Sequence, residues 1–412
     1  MQQHPLTVIV NIKPDQKGRL KELLYAIRTD INKNPYLRFP EITTTHFARF
    51  VLIGGGTRAT RDLETRLYFS VNFDGEWEDY IDLLIDKAGT AVEGIFSACE
   101  GYPNLKLSDP NFKKRFKDFI KANTIKTNTF YQGYREKTVQ EVQQSIARRA
   151  QLEDLVNLKG IEGLKAEVKI TSGSNSSILG KVGGFLKKAG GKVLGFILSP
   201  VSGWLKKNVN NVLNFLLSKI IGVRVFPEVL PEPSVPSPEV DTRDEFTDYL
   251  ESVQNEMTIV SEIDPKQLGA TRRILWLVNL LSKFVFNKGV LGGISTIHFA
   301  RWVIIDNGKN LLFESNYDGN WEQYIGDFVD KAALGMDSIW GNSAVSVDYP
   351  KYGSKDLQAF KKVIINHQVP AAVFYTAYRF DSVRNILNDL VVSRLSSAGA
   401  TEADFNELCS HL

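Results

Sequence analysis

The sequence predicts an α+β fold: two tandem copies of one β-α-β-β-α-β unit with a basic amphipathic insert between them. Three observations carry this expectation. Segments of the first half return in the second, strand and helix periodicities follow one order in both, and the stretch between them differs in composition. HFARFVLI at 46–53 returns as HFARWVII at 298–305, identical at six of eight positions. VNFDGEWEDYIDLLIDKA at 71–88 returns as SNYDGNWEQYIGDFVDKA at 315–332, ten of eighteen, and TFYQGYREKTV at 129–139 as VFYTAYRFDSV at 373–383, five of eleven. Asn72 to Phe130 and Asn316 to Phe374 both span 58 residues. The eight extra residues between Arg49 and Asn72 fall in GGGTRATR, a loop-tip composition that tolerates insertion.

Each element has its own reason. PLTVIVNIK (5–13) alternates apolar and polar residues, which predicts a strand. Leu20, Leu23, Leu24, Ile27 and Ile31 recur at helical spacing. HFARFVLI and TRLYFSVNF flank a glycine-rich turn, a hairpin signal. Residues 76–98 form an amphipathic helix with acids in its first turn, where they favour a helix N-terminus. FKKRFKDFIKAN adds a short helix, TNTFYQGY (127–134) a fourth strand, and VQEVQQSIARRAQLEDLV a trailing helix. The second copy repeats the order: strand 255–263, helix 271–286, a hairpin turning at Asp306-Asn307-Gly308, helix 320–340 and strand AAVFYTAY. The predicted organisation is a first repeat over 1–160, the insert over 161–226, a proline-rich linker over 227–245, and a second repeat over 246–412.

Fifty Lys+Arg against 47 Asp+Glu leave a net charge of +3, too balanced to suggest a nucleic-acid partner over the whole surface. Two cysteines exclude a disulfide scaffold and a cysteine-based zinc site. The segment MQQHPLTVIVNIKP reads as a strand rather than a leader, so a cytoplasmic location is expected. The insert breaks the charge balance, with nine basic residues and no acid between Val168 and Pro227. Val201, Trp204, Leu205, Val209, Val212, Leu213, Leu216 and Ile220 form one helical stripe, with Lys206 and Lys207 off it. Lys181, Lys187, Lys188 and Lys192 accompany a weaker stripe before Pro200. Such a helix fits a membrane interface, with anionic lipid adding about 1 kcal/mol per nearby lysine. The region 265–305 also lacks acids, and Trp276 sits in its apolar bulk between basic ends.

The β-α-β-β-α-β order, present twice, is the ferredoxin-like unit. Two fused copies resemble the dimeric α+β barrel superfamily as a single-chain pseudo-dimer. That superfamily includes heme enzymes, among them dye-decolorising peroxidases and chlorite dismutase-like proteins, and cofactor-free monooxygenases. The peroxidase resemblance rests on Asp74-Gly75 and Asp318-Gly319. It implies an aspartate assisting peroxide cleavage above a heme ligated by His46 or His298, although the glycine preceding that pair in the peroxidase loop is missing here.

Read from the residues alone, Asp74 and Asp318 suit the N-caps of the helices that follow them. His46 is expected on the face of Ala48 and Phe50, opposite Arg49. The candidate catalytic residues are therefore His46, His298, Asp74 and Asp318; the candidate ligand-binding residues are Arg49, Arg301, Asn72, Asn316, Arg135 and Arg379. Candidate membrane contacts are Lys181, Lys187, Lys188, Lys192, Trp204, Leu205, Lys206, Lys207, Leu213, Leu216 and Trp276. No P-loop, GxGxxG, GxSxG or HExxH is present. Three readings stay open: a peripheral membrane protein whose barrel takes an apolar or lipid-like ligand, a heme-dependent peroxidase-like enzyme, and a scaffold whose insert binds a partner or forms homo-oligomers.

Overall fold

A computed structural model of the chain describes residues 2–54, 64–168, 237–239, 252–286, 289–343, 349–350, 353–397 and 400–412. Most of the insert, including every candidate membrane contact named in it from Lys181 to Leu216, lies outside the described residues. The chain divides into two compact units, Met1–Gln144 with Phe226–Leu387, and Ser145–Val225 with Asn388–Leu412. The boundary does not run between the two repeats. Both copies belong to the first unit.

In the first copy the elements are β1 (Gln3–Asn11), α1 (Lys17–Thr29), β2 (Thr45–Ile53), β3 (Arg66–Asp74), α2 (Trp77–Phe96), α3 (Phe112–Ala122) and β4 (Thr129–Gln132). Helix α4 (Val139–Val168) follows and runs past the expected boundary at 160, where Gly160 breaks the helical backbone with φ 65°. The second copy supplies β5 (Gln254–Glu262), α5 (Leu268–Phe284), β6 (Ile297–Ile305), β7 (Asn310–Asp318), α6 (Trp321–Lys331), α7 (Ala333–Ser343), α8 (Leu357–His367) and β8 (Ala371–Thr376). Helices α9 (Val383–Leu395) and α10 (Glu402–His411) end the chain. The long helix expected at 320–340 is two helices, because Ala332 leaves the helical region at φ −122°. Its counterpart α2 is bent at the matching residue, Ala88.

The fold is α+β with two four-stranded antiparallel sheets, ordered β1-β3-β2-β8 and β4-β6-β7-β5. The last strand of each copy is therefore exchanged. β8 pairs with β2 through Arg49↔Phe374, and β4 pairs with β6 through Phe130↔Arg301. Just before each exchange the chain touches its own copy: Ile125 N donates to Thr7 O at 2.8 Å, and Val369 N to Thr258 O at 2.8 Å.

One face of the first sheet packs against helices. Leu6, Val8, Ala48, Phe50, Phe69 and Val71 join Leu20, Leu24 and Ile27 of α1 and Ile81, Leu84, Ile95 and Phe96 of α2 in one apolar core. The second unit has its own smaller core of Leu152, Leu164, Val168, Val392, Leu395, Phe405 and Leu408. There Thr401 and Asp404 cap α10 reciprocally, and Arg149 joins Glu153 at 2.7 Å and Asp389 at 3.1 Å.

Each hairpin's second strand ends on an Asp-Gly pair whose glycine has positive φ, 89° at Gly75 and 84° at Gly319. Gly319→Ala should cost about 1–2 kcal/mol, because an L side chain strains this left-handed turn. The nearest obstacle to its Cβ is only the flexible Gln323 side chain at 3.4 Å. Urea unfolding measures the loss; an unchanged midpoint would refute it.

Candidate functional site

A bulge governs the chemistry of β2. Register with β3 shifts between Thr45 and Phe47, and β6 shifts identically between Ile297 and Phe299. The extra residue reverses the alternation at that point. His46 therefore lies on the Arg49 side, between the sheets, and not with Ala48 and Phe50 as expected. His46 Nε2 is 2.9 Å from Asp74 Oδ1, and Nδ1 is 2.7 Å from the hydroxyl of Tyr378, which belongs to the other copy. The second site mirrors it: His298 Nε2 to Asp318 Oδ1 is 2.7 Å, and Nδ1 to the Tyr134 hydroxyl is 3.1 Å. A carboxylate can only accept, so Nε2–H donates to aspartate, leaving Nδ1 to accept from the phenol. Both imidazoles are fully buried.

The aspartates correct a second expectation. Neither caps the helix that follows it. Asp74 Oδ2 accepts from Val139 N at 2.7 Å, the start of α4, and Asp318 Oδ2 accepts from Val383 N at 2.8 Å, the start of α9. The helix after Asp318 is capped instead by Asn320, which accepts from Gln323 N. Capping is thus the right role at the wrong helix, because the exchanged strands bring a distant N-terminus closer than the adjacent one.

Between the sheets, Arg49 and Arg301 are the largest fully buried side chains. Arg49 donates to Glu256 Oε2 at 2.9 Å, Thr258 Oγ1 at 2.9 Å, and the carbonyls of Met257 and Ser315 at 3.1 and 3.0 Å. It also bonds Asn316 Oδ1. Arg301 does the same in reverse, to Leu6 O, Thr7 Oγ1, Val71 O and Asn72 Oδ1. Each guanidinium stands over the exchanged strand's phenylalanine, Arg49 over Phe374 at 5.7 Å and Arg301 over Phe130 at 5.8 Å. The expectation that these arginines and Asn72 and Asn316 bind a ligand, and that an apolar ligand enters this space, does not fit. The terminal guanidinium nitrogens of both arginines are engaged by the chain itself, although Asn316 Nδ2 is buried without a hydrogen-bond partner, and an apolar guest would displace paired charges.

The carboxylates break the symmetry. Glu256 and Glu314 occupy positions held in the first copy by Pro5 and Ser70, since Pro5 pairs with Asn72 as Glu256 pairs with Asn316, and Arg49 with Ser70 as Arg301 with Glu314. Glu314 lies 3.1 Å from Arg301 Nε and 3.7 Å from Arg49 Nε, and accepts from Ser70 Oγ at 2.7 Å and from the Tyr68 hydroxyl. Burial pushes its pKa up, but Arg301, Arg49, Ser70 and Tyr68 outweigh burial and hold it below the ordinary carboxyl value. Glu256 goes the other way: burial dominates and raises it, despite Arg49 and the Ala371 N–H. A repeat search misses Glu256, Glu314 and Tyr68 because they occur in one copy only. Tyr134 and Tyr378 were visible in the repeated FYxxYR, although nothing in the strand pattern tied them to a histidine across copies.

The remaining candidates disperse. Arg135 donates to the Lys283 carbonyl at 2.8 Å, at the end of α5, where a cation offsets the helix dipole. Arg379 stacks 5.6 Å from Phe380 and its carbonyl accepts from Val253 N. Outside that candidate set, His367 Nδ1 lies 2.8 Å from Val363 O, and Cys99 is a packed thiol that burial pushes up to about 12. His46 and His298 do not suit heme ligation, since both nitrogens of each ring are hydrogen-bonded. Among the described residues no group of three His, Cys, Asp or Glu could hold a metal ion, and no helix is long and apolar enough to cross a membrane. No family model matches the chain, and no curated protein or solved structure is significantly similar to it.

Two outcomes follow from the buried charges. Arg49→Met leaves Glu256 without its cation and should cost about 3–5 kcal/mol in chemical unfolding; a loss below 1 kcal/mol would show that the pair is not coupled as described. Glu314, with a lowered pKa, contributes stability that is present above its unfolded value and lost as pH falls through the folded one. Glu256, with a raised pKa, contributes stability that is complete below its unfolded value and lost as pH rises through the folded one. The melting temperature of Glu256→Gln should therefore gain on that of the wild type as pH rises from about 4 to about 7. A pH-independent difference would contradict this assignment.

Proposed function

We propose that the chain is a peripheral membrane protein that docks on anionic lipid through the outer face of α5. The observation that carries this reading is a helix with one face in the core and an aromatic, cationic face outside. Ala270, Thr271, Ile274, Leu275 and Leu277 are buried. Arg272, Arg273 and Trp276 face outward within one turn, and Lys283 and Phe284 follow two turns on, with Trp276 60% and Phe284 52% exposed. No acid occurs from Pro265 to Ile305, so nothing in this stretch repels a phosphate surface. Helix α1, at the same place in the first copy, exposes Tyr25 beside Glu22 and Lys21, an ordinary mixed face. Trp and Phe settle at the headgroup boundary, and each nearby Lys or Arg adds about 1 kcal/mol on anionic lipid. The basic, acid-free composition of 168–227 favours the same partner and the same peripheral location.

The supporting fold is read as two ferredoxin-like repeats packed as a pseudo-dimeric α+β barrel. What supports this is the strand order β1-β3-β2, with Ile125 bonded along the free edge of β1, and its repetition as β5-β7-β6 with Val369 along β5. The full chain should co-sediment with phosphatidylserine-containing vesicles, less so as salt rises, and not with neutral vesicles. Combining Arg272→Glu, Arg273→Glu and Trp276→Ala should abolish binding while leaving the melting temperature unchanged, since all three side chains are exposed. Full binding by that variant, with loss only on deleting residues 175–225, would overturn α5 as the docking face.

A further inference from the structure

Two phenols, two imidazoles and two carboxylates meet where the strands cross between copies. Tyr378 and His46 are 1% and 0% exposed, and Tyr134 and His298 are 2% and 0% exposed. The phenol rings of Tyr134 and Tyr378 meet edge to face with centroids 5.9 Å apart, ringed by Phe47 and Phe299. Helix capping accounts for the aspartates. It does not require an imidazole between each aspartate and a tyrosine from the other copy. Both copies keep the arrangement, whereas the inter-sheet carboxylates are present in one copy only.

The burial restricts what this cluster can exchange with its surroundings. A substrate could touch these groups only if the strand exchange opened. Electrons and protons need no opening: an electron passes through packed aromatic rings, and the proton moves along a hydrogen bond already made. We propose that Tyr134 and Tyr378 form a redox-active tyrosine pair, in which each phenol gives one electron to an external one-electron oxidant and its O–H proton to the facing histidine.

The step balances as follows. Tyr378 loses one electron to the oxidant and becomes a neutral phenoxyl radical; its O–H bond breaks, and the proton bonds to Nδ1 of His46. The imidazolium so formed is stabilised by Asp74 on its other nitrogen. Re-reduction by one electron returns the proton. Tyr134, His298 and Asp318 do the same. The oxidant is of the outer-sphere class, a high-valent metal complex or an inorganic radical, reduced by one electron per phenol. Burial, reinforced by the neighbouring aspartates, holds both phenols well above their ordinary pKa, so oxidation without a proton acceptor would be costly. The histidine at hydrogen-bond distance supplies that acceptor.

The test is electron paramagnetic resonance on the full-length chain, frozen at increasing times after mixing with hexachloroiridate(IV). The wild type should give a neutral tyrosyl signal with a long-lived component. Combining Tyr134→Phe and Tyr378→Phe should remove that component, and each single substitution should reduce it, which keeps the test open if the double variant does not fold. His46→Gln and His298→Gln retain the phenols and should shorten the radical's lifetime, an effect that loss of packing alone would not produce in a chain with an unchanged melt. Equal radical yield and decay in the wild type and in the tyrosine variants would overturn the proposal, as would a wild-type signal without a long-lived component.

Discussion

Each sheet of this molecule ends on a strand supplied by the other copy, and most of what is distinctive here follows from that exchange. β8 completes the sheet of β1, β2 and β3, and β4 completes the sheet of β5, β6 and β7. The exchange covers an edge that each copy would otherwise leave with unpaired backbone groups. It also carries Phe374 over Arg49 and Phe130 over Arg301, and it delivers Tyr378 to His46 and Tyr134 to His298. The helix that follows each exchanged strand begins beside an aspartate of the copy in which that strand originated, Asp74 for Val139 and Asp318 for Val383.

The space between the sheets shows what happens to a duplicated core when its copies diverge. Two arginines at equivalent positions reach across in opposite directions. Their neutralising carboxylates both come from the second copy, at positions where the first has Pro5 and Ser70. Two buried cations need compensation wherever it arises, and Glu314 lies near enough to both to serve them together. Pro5 is tolerated because β1 lies at the edge of its sheet. The interior is thus a polar network built from the chain's own groups, with Asn316 Nδ2 left buried and unpartnered, and the exposed apolar area lies on the surface. On α5, exposed Trp276 and Phe284 are accompanied by arginines and no acid, a combination that in the first copy is diluted by Glu22.

Local patterns in the chain determined the duplication and the order of the strands and helices named for each copy, although α8, α9 and α10 were not among them. Period-two alternation and helical spacing depend only on nearby residues, so β1, α1, α3 and both hairpins stand close to where the pattern puts them. Glycine after Asp74 and Asp318 announced a turn for the same local reason. The tertiary structure decided the rest. Which sheet accepts a final strand depends on an edge many residues away, and no periodicity encodes it. A single bulge residue in β2 reversed the facing of His46, because alternation is a count and one insertion shifts its phase. The partners of Asp74, Glu256 and Tyr378 were chosen across copies by packing, and a carboxylate or phenol in a sequence carries no mark of the cation or imidazole it will meet.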